Sequence, residues 1–495
     1  MNTNNEQDFI EKLVTGIPGF DVLSEGGLPV GRVTLVVGSA GSGKTVFSCQ
    51  YLAEGIKRGE NGVFVTMEEP PHSIRKNMRN FGWDIRRWEE EGKWTFVDAS
   101  YPPGEKPLVS GEYDFDSLLA RIKYAINQVN AVRVAVDCLG AIFTYIPDSA
   151  QIRTDLYAIA SALRQIDSTV IVTSERTQEY GEISTHGVEE FVADNVIILR
   201  NVLIQEKRRR TLEILKYRGS SHYQGEFPFS IITDKGIVII PLLPTATTED
   251  NASDVRISSG NAKLDTMCGG GFFRNSIILA SGATGTGKTL LATQFIAAGT
   301  QSNERCVLFA FEENRKMLFR NALGWGIDFG QMERDGRLKV IFRYPEASRL
   351  EDHLIRMQEV MEEFRPNRVA IDSLSALEWV SNTRGFREFL VGLNSLVRGQ
   401  KMTALYTATA PTLVGGTSIS EGHISTSTDA IILLRYVEIY GEIRRGITVI
   451  KMRGSEHDKQ IREFRIDNQG MHIGQPFRNI TGILTGNTLY TDSNE

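Results

Sequence analysis

A chain of 495 residues with 41% hydrophobic and 23% charged residues can fill two or more domains, each with its own core. No apolar run approaches the roughly 18 residues of a membrane span, and MNTNNEQDFIEKL lacks the basic-then-apolar pattern of a secretory leader, so a cytoplasmic protein without a membrane partner is expected. A net charge of −6 and a pI of about 5.8 make nucleic acid an unlikely partner, because dedicated binders carry a basic face and a domain pI above about 9.

In chain order, the first strong element is the β-branched run RVTLVV, which leads into GSAGSGKT from Gly38. GVFVTM follows and ends on Glu68-Glu69; VRVAVD ends on Asp137; TVIVTS and NVIILR are two further short strands. Between them lie the helical stretches DSLLARIKYAINQVN and QIRTDLYAIASALRQI. Strands alternating with helices predict an α/β fold whose sheet is mainly parallel and covered by helices. RRRTLEILKYRG and FPFSIITDKGIVII read as antiparallel strands added at the edge. The basic run Lys207-Arg208-Arg209-Arg210 is read as a solvated strand end or a subunit contact. The cysteines Cys49, Cys138, Cys268 and Cys306 have neither metal-type nor disulfide-type spacing and are expected to be reduced core thiols.

The pattern then repeats. GATGTGKT begins at Gly282, an offset of 282 − 38 = 244, and Glu312-Glu313 follow Glu68-Glu69 at 312 − 68 = 244. Later pairs (Asp137 and Asp372, Asp194 and Asp429, Lys216 and Lys451, His222 and His457) are separated by 372 − 137 = 235. A duplicated domain with one net deletion accounts for both offsets. The turn-rich PTATTEDNASD marks the boundary, giving domains at 1–245 and 253–474, a linker at 246–252, and a C-terminal loop and short tail at 475–495.

Each GxxxxGK[ST] loop lies between a strand and a helix, where glycines let backbone N–H groups turn around phosphates and the helix N-terminus favours negative charge. Gly41, Ser42, Gly43, Lys44, Thr45 and Val46 are therefore candidate ATP contacts, as are Thr284, Gly285, Thr286, Gly287, Lys288, Thr289 and Leu290. Thr45 and Thr289 are the candidate magnesium ligands of these loops. Asp137 and Asp372, at strand ends, suit the carboxylate that holds the metal shell, although an aspartate there can also cap a helix. Glu68, Glu69, Glu312 and Glu313 are candidate catalytic bases, with Glu312 also a candidate metal ligand.

The order of P-loop, acidic pair, strand-end aspartate and KxRG resembles the RecA-like superfamily, and within it the KaiC family of circadian-clock ATPases and autokinases. VFVTMEEPPHSIRKNMRNFGWD, TSERTQEYGEI, ISTSTDAIILLRYVEIYGE and KMRGSEHDKQIREF carry the likeness, which spans about Ile17 to Asn487. The resemblance implies two tandem RecA-like P-loop domains in a homohexamer of stacked rings, with ATP between neighbouring protomers. It implies that Lys216, Tyr217 and Arg218 reach the neighbour's nucleotide, as do Lys451, Met452 and Arg453. Ser220, His222, Thr233 and Asp234 join the first ring's contacts; Trp325, Arg445, Ser455 and His457 join the second's. Read alone, each KxRG is equally a surface turn, and Trp325 equally a core residue.

By resemblance, Ser425 and Thr426 of HISTSTD are phosphorylated by the second domain. Their first-half counterparts, Glu190 and Phe191, have no hydroxyl to accept phosphate, which predicts hydrolysis in the first domain and autokinase activity in the second. Two departures from the family stand out. Trp379 replaces an arginine, for which Arg384 is a candidate substitute, and the chain ends at TLYTDSNE without the longer tail that KaiA grips. A KaiA-like partner is therefore not expected; a KaiB-like partner on the first ring stays open, with no site for it marked in the sequence. The alternatives are a KaiC-like signalling ATPase with little kinase activity and a RecA-type nucleic-acid motor.

Overall fold

A computed structural model describes residues 10–100, 115–140, 149–183, 193–204, 206–240, 253–409, 426–478, 480–483 and 489–490. The chain divides into two compact units, Met1–Pro241 and Leu242–Glu495.

In the first unit the parallel strands are β1 (Val33–Gly38), β2 (Asn61–Thr66), β3 (Trp94–Asp98), β4 (Ala131–Asp137), β5 (Thr169–Glu175) and β6 (Asn195–Ile204). The antiparallel extension is β7 (Lys207–Tyr217), β8 (Glu226–Ile232) and β9 (Gly236–Ile239). The sheet order is β3-β2-β4-β5-β1-β6-β7-β8-β9, which puts the P-loop strand in the middle. The second unit runs β10 (Ile277–Gly282), β11 (Cys306–Ala310), β12 (Leu338–Phe342), β13 (Arg368–Asp372), β14 (Thr403–Thr409), β15 (Ala430–Ile439), β16 (Glu442–Met452), β17 (Arg462–Asp467) and β18 (Gly470–Pro476). Its order, β12-β11-β13-β14-β10-β15-β16-β17-β18, is the first with nine added to every strand number. The duplication read from the offsets is thus a duplication of topology.

All six residues of β1 and of β10 are buried, as expected for central strands covered on both faces. Short strands β2 and β3 add a parallel edge that the sequence reading did not single out at Trp94–Asp98. Helix α1 (Lys44–Lys57) buries Phe47, Tyr51, Leu52 and Ile56, and helix α4 (Lys288–Gln301) buries Leu291, Phe295 and Ile296. Each such side chain removed from water is worth about 1.5–3 kcal/mol. Between them in the chain, α2 (Phe115–Val129) and α3 (Ser149–Arg164) cover the first sheet. In the second unit α5 (Leu350–Phe364), α6 (Leu374–Glu378) and α7 (Thr383–Gly399) follow.

A buried arginine anchors each P-loop helix. Arg133 Nη1 donates to the carbonyls of Val14 (2.8 Å) and Tyr51 (2.9 Å), and its guanidinium pairs with Glu60. Arg368 Nη1 donates to Ser258 (2.6 Å) and Phe295 (3.3 Å) and pairs with Glu304. Breaking such a pair by removing one partner would strand a buried charge, at about 3–5 kcal/mol. These contacts fix the helix whose first turn forms the site. All four cysteines are buried and free, as expected.

Candidate functional site

Both P-loops leave the C-terminal end of a central strand and enter a 14-residue helix. The N-cap positions are Gly43 (φ 104°) and Gly287 (φ 105°), and neither helix has a side-chain cap. The first-turn N–H groups therefore lack a capping side chain, which suits an anion. A side chain at these glycines would be strained by the positive φ and would also collide: an added Cβ would lie 2.9 Å from Ile231 Cδ1 at Gly43 and 2.8 Å from Ile466 Cδ1 at Gly287. Gly41 and Gly285 also have positive φ; Ser42 and Thr286 are buried in the loop. Val46 is half-buried, and Leu290 belongs to the core, so only its backbone faces the loop.

The lysine ammonium groups fold back over their own loops. Lys44 Nζ donates to Gly38 O (2.8 Å) and Ser39 O (3.2 Å); Lys288 Nζ donates to Gly282 O and Ala283 O, both at 2.9 Å. Burial pushes the Lys288 ammonium below its ordinary range, opposed by the nearby carboxylates of Glu312 and Asp372.

Thr45 Oγ1 donates to Asp137 Oδ2 at 2.7 Å, and Thr289 Oγ1 donates to Asp372 Oδ2 at 2.7 Å. The second aspartate oxygen accepts from Thr173 in the first unit and from Thr407 in the second. Burial raises the Asp372 carboxyl, opposed by these two hydroxyl donors. A hydroxyl and a carboxylate side by side at the loop mouth fit a hard cation such as magnesium. Among the described residues no group of three or more His, Cys, Asp or Glu could hold a metal by itself. Magnesium sites use few protein groups together with phosphate oxygens and water.

The acidic pairs divide. Glu69 and Glu313 accept from the helix amides Asn77 (3.4 Å) and Asn321 (3.3 Å). Glu312 instead accepts from the hydroxyl of Ser373, the residue after Asp372. Glu68 has a raised pKa whose largest cause is desolvation, followed by the like charges of Glu175 and Asp137; its sequence neighbour Glu69 contributes least. Burial, then Asp372, raises Glu313 in the same way. Adjacency within the pair is thus a minor cause, and Glu175, which ends β5 and lies 4.0 Å from Lys44 Nζ, is a larger one that the sequence analysis did not name.

The KxRG segments lie at the opposite end of the central strands from the P-loop. Lys216 Nζ donates to Ala193 O (2.7 Å), and Arg218 pairs with Asp194 (3.5 Å), whose other oxygen accepts from Val33 N at the start of β1. Tyr217 is anchored through its hydroxyl to Gly27 O. Lys451 Nζ donates to Thr428 O (2.7 Å), Arg453 pairs with Asp429 (3.6 Å), and Met452 is buried between them. The P-loop follows the far end of β1, a six-residue strand, so roughly 20 Å of strand separates these cations from their own loop.

Nearby, Ser220 Oγ donates to Ser221 O (3.1 Å), and the His222 ring lies 5.8 Å from that of Tyr217. Ser455 accepts from Arg256 (2.6 Å), and His457 Nδ1 is buried without a hydrogen-bond partner among the described residues.

Other expected contacts lie on the P-loop side. Thr233 and Asp234 form the β8–β9 turn, with Asp234 N donating to Asn80 O at 2.9 Å. Trp325 ends the helix Arg315–Gly324 and packs half-buried on the core; its first-half counterpart, 325 − 244 = 81, is Phe81. The Arg445 guanidinium lies 5.8 Å from the Tyr436 ring, whose hydroxyl donates to the P-loop carbonyl of Thr284 (3.3 Å). Its counterpart, 445 − 235 = 210, is Arg210, which donates to Gly41 O (3.2 Å). The offset held the signal for Phe81 and Arg210, but the sequence reading used neither.

The basic run at 207–210 thus lies in β7, where Arg208 donates to Asn201 O and Arg210 reaches the P-loop. Thr426 is exposed, and its carbonyl accepts from Arg453 (2.8 Å). Ser425, Glu190, Phe191 and the linker 246–252 lie outside the described residues. Trp379 is 87% exposed, and Arg384 is held in an ion pair with Glu388 (2.9 Å). No described helix is long and apolar enough to cross a membrane.

Comparison with known proteins agrees with this geometry. The family described as "ATPase: KaiC" matches twice, over residues 13–243 and 257–477. The chain is 64% identical over 492 residues to "Circadian clock protein KaiC3" of Synechocystis sp., covering 99% of this chain and 97% of the relative. It is 51% identical to "Circadian clock oscillator protein KaiC" of Synechococcus elongatus (98% and 93% covered) and 50% identical to the protein of that name from Parathermosynechococcus lividus (96% and 88%). Two ATPase domains with one topology, each matching the family along its length, make this chain a member of the KaiC ATPase family.

Proposed function

We propose that each domain binds ATP with magnesium, that the first domain hydrolyses it, and that the second also transfers the γ-phosphoryl group to the chain's own Ser425 and Thr426. The observation that carries this reading is the threonine–aspartate dyad at each P-loop, joined by a facing glutamate, in a chain whose second half has hydroxyl residues at 425 and 426 where the first has Glu190 and Phe191. Thr45 with Asp137, and Thr289 with Asp372 and Glu312, would hold the magnesium. When bound, that ion would offset the charge that develops on the phosphate oxygens.

The chain's own groups do the rest. The P-loop N–H groups and Lys44 or Lys288 hold the β- and γ-phosphates in place. Glu68 takes the proton of a water whose oxygen bonds to the γ-phosphorus while the bond to the β,γ-bridging oxygen breaks, releasing ADP and phosphate. Glu312 takes the corresponding proton from the Ser425 or Thr426 hydroxyl, and the products are ADP and a phosphorylated side chain.

Because KxRG is about 20 Å from its own P-loop, Lys216, Arg218, Lys451 and Arg453 would serve the nucleotide of another copy, as arginine fingers do in trans. This supports a ring-shaped homo-oligomer, a homohexamer by family. Ser220, His222, Ser455 and His457 would line the same seam, while Thr233, Asp234, Trp325 and Arg445 would contact nucleotide on the P-loop side. The clock names of the relatives support a role in timing. A second reading, an ATPase with little kinase activity, draws on Trp379 in place of an arginine and on the engagement of Arg384 with Glu388.

Incubation with γ-labelled ATP, followed by mapping of the label, separates the readings. Label on Ser425 and Thr426 that disappears in Glu312→Gln is the expected result. Hydrolysis without labelled protein would leave the signalling ATPase.

A further inference from the structure

The two sites share a loop, a lysine and a threonine–aspartate dyad, but they differ in the residue that follows the aspartate. In the second unit it is Ser373, fully buried, whose hydroxyl donates to Glu312 Oε1. In the first unit it is Cys138, since 373 − 235 = 138. Cys138 is also buried, and among the described residues no side chain donates a hydrogen bond to Glu68. The register brings this position to the acidic pair: β11 and β13 run parallel with Ala310 opposite Asp372, and Phe311 N donates to Asp372 O (2.8 Å), so Ser373 emerges beside Glu312, the residue after Phe311. β2 and β4 repeat that pairing with Thr66 opposite Asp137.

We infer that Ser373 is a positioning residue for the second domain's base, fixing the Glu312 carboxylate toward the acceptor hydroxyl, and that Cys138 leaves Glu68 without that restraint. This rests on the reading of Glu312 as the base. A buried hydroxyl that has one carboxylate oxygen as acceptor selects one rotamer of a long, flexible side chain, leaving the other oxygen to receive a proton. A thiol is a weak donor with a longer reach and cannot hold a carboxylate as tightly. The base that must wait for a side-chain hydroxyl carries the restraint. The base that meets freely diffusing water lacks it. The serine–cysteine exchange would therefore tune each site to its acceptor.

Ser373→Cys is the informative variant, because the first unit already accommodates cysteine at the equivalent place. Transfer of labelled phosphate to the chain should slow roughly tenfold or more, with ATP affinity and melting temperature unchanged; Ser373→Thr, which keeps a hydroxyl, should restore much of it. Unchanged phosphoryl transfer in Ser373→Cys, or equal loss in the Cys and Thr variants, would overturn the role given to Ser373. Glu312→Gln runs alongside. If it abolishes transfer while Ser373→Cys does not, the positioning role fails and the base assignment stands. If Glu312→Gln itself transfers normally, the base assignment fails and the positioning role falls with it.

Discussion

The first and second nucleotide sites compare as two settings of one frame. In both, a threonine hydroxyl lies 2.7 Å from a strand-end aspartate, and a lysine covers the loop carbonyls. Around the acidic pair they part. Glu68 shares its edge with Glu175, whose counterpart by the offset is Ala410, while Glu312 has the Ser373 hydroxyl. The two triphosphate cradles differ only at Ser39/Ala283, Ala40/Thr284 and Ser42/Thr286 and share every glycine, the lysine and the threonine, because backbone N–H groups and a metal ligand must meet fixed atoms. The groups that decide which oxygen attacks can diverge without disturbing the loop.

The largest expected effect tests whether the sites act separately. Lys288→Ala should remove essentially all labelling of the chain, a loss of about 3 kcal/mol or more in transition-state stabilisation, while the first site continues to hydrolyse ATP. Lys44→Ala should do the reverse. Labelling that survives Lys288→Ala and disappears in Lys44→Ala would invert the division of labour.

Next comes the seam. Arg453→Ala should lower second-site turnover about 100-fold or more if the residue acts as a finger in trans. Neither Arg453→Ala nor Lys288→Ala chains should transfer phosphate alone. Mixed in equal amounts, they should regain a fraction of the activity, because some seams then join an intact loop to an intact arginine. Absence of any recovery on mixing, with oligomers re-formed, would argue that the arginine acts within its own chain.

A smaller effect comes from charge. Desolvation, Glu175 and Asp137 hold the Glu68 carboxyl above its ordinary value. A carboxyl whose folded pKa is raised binds its proton more tightly when folded, so its contribution is present below the unfolded pKa and is lost as pH rises through the folded value. At neutral pH the charged Glu68 is therefore a mild burden on the nucleotide-free protein. Glu68→Gln should raise the melting temperature of that form by about 1–2 °C at pH 7, less than 1 kcal/mol after solvent screening. The gain should shrink toward pH 4. Glu312→Gln, whose carboxylate has a hydroxyl partner instead, should show no such gain, and equal gains in both would remove the electrostatic contrast.

Short-range chemistry made much of this legible in the sequence. The P-loops, both aspartates and the duplication follow from octets and offsets, and β-branched runs marked the central strands because burial on both faces selects them. What depended on register did not show. Residue 373 meets residue 312 only because β13 pairs with β11, and KxRG is remote from its own P-loop only because β16 runs antiparallel to β15. The edge strand Trp94–Asp98 alternates weakly in burial, so periodicity gave it little signal.

The smallest expected effect concerns Trp379, the most exposed large hydrophobic residue among the described residues at 87%. It follows α6, the short helix just beyond Asp372, so it stands near the second site without contributing to the fold. Trp379→Arg should change stability by no more than about 0.5 kcal/mol, because so exposed a side chain leaves little behind when removed. Any consequence must then arise in the assembled protein. If the tryptophan covers apolar surface between copies, the variant should weaken oligomers formed with ATP, seen as a lower mass at equal concentration. If it merely replaces a cation that once met phosphate, the variant should speed chain labelling with the mass unchanged. A variant that alters neither would show that position 379 is neutral and that the second site works from Lys288, Asp372 and Glu312 without help from this side.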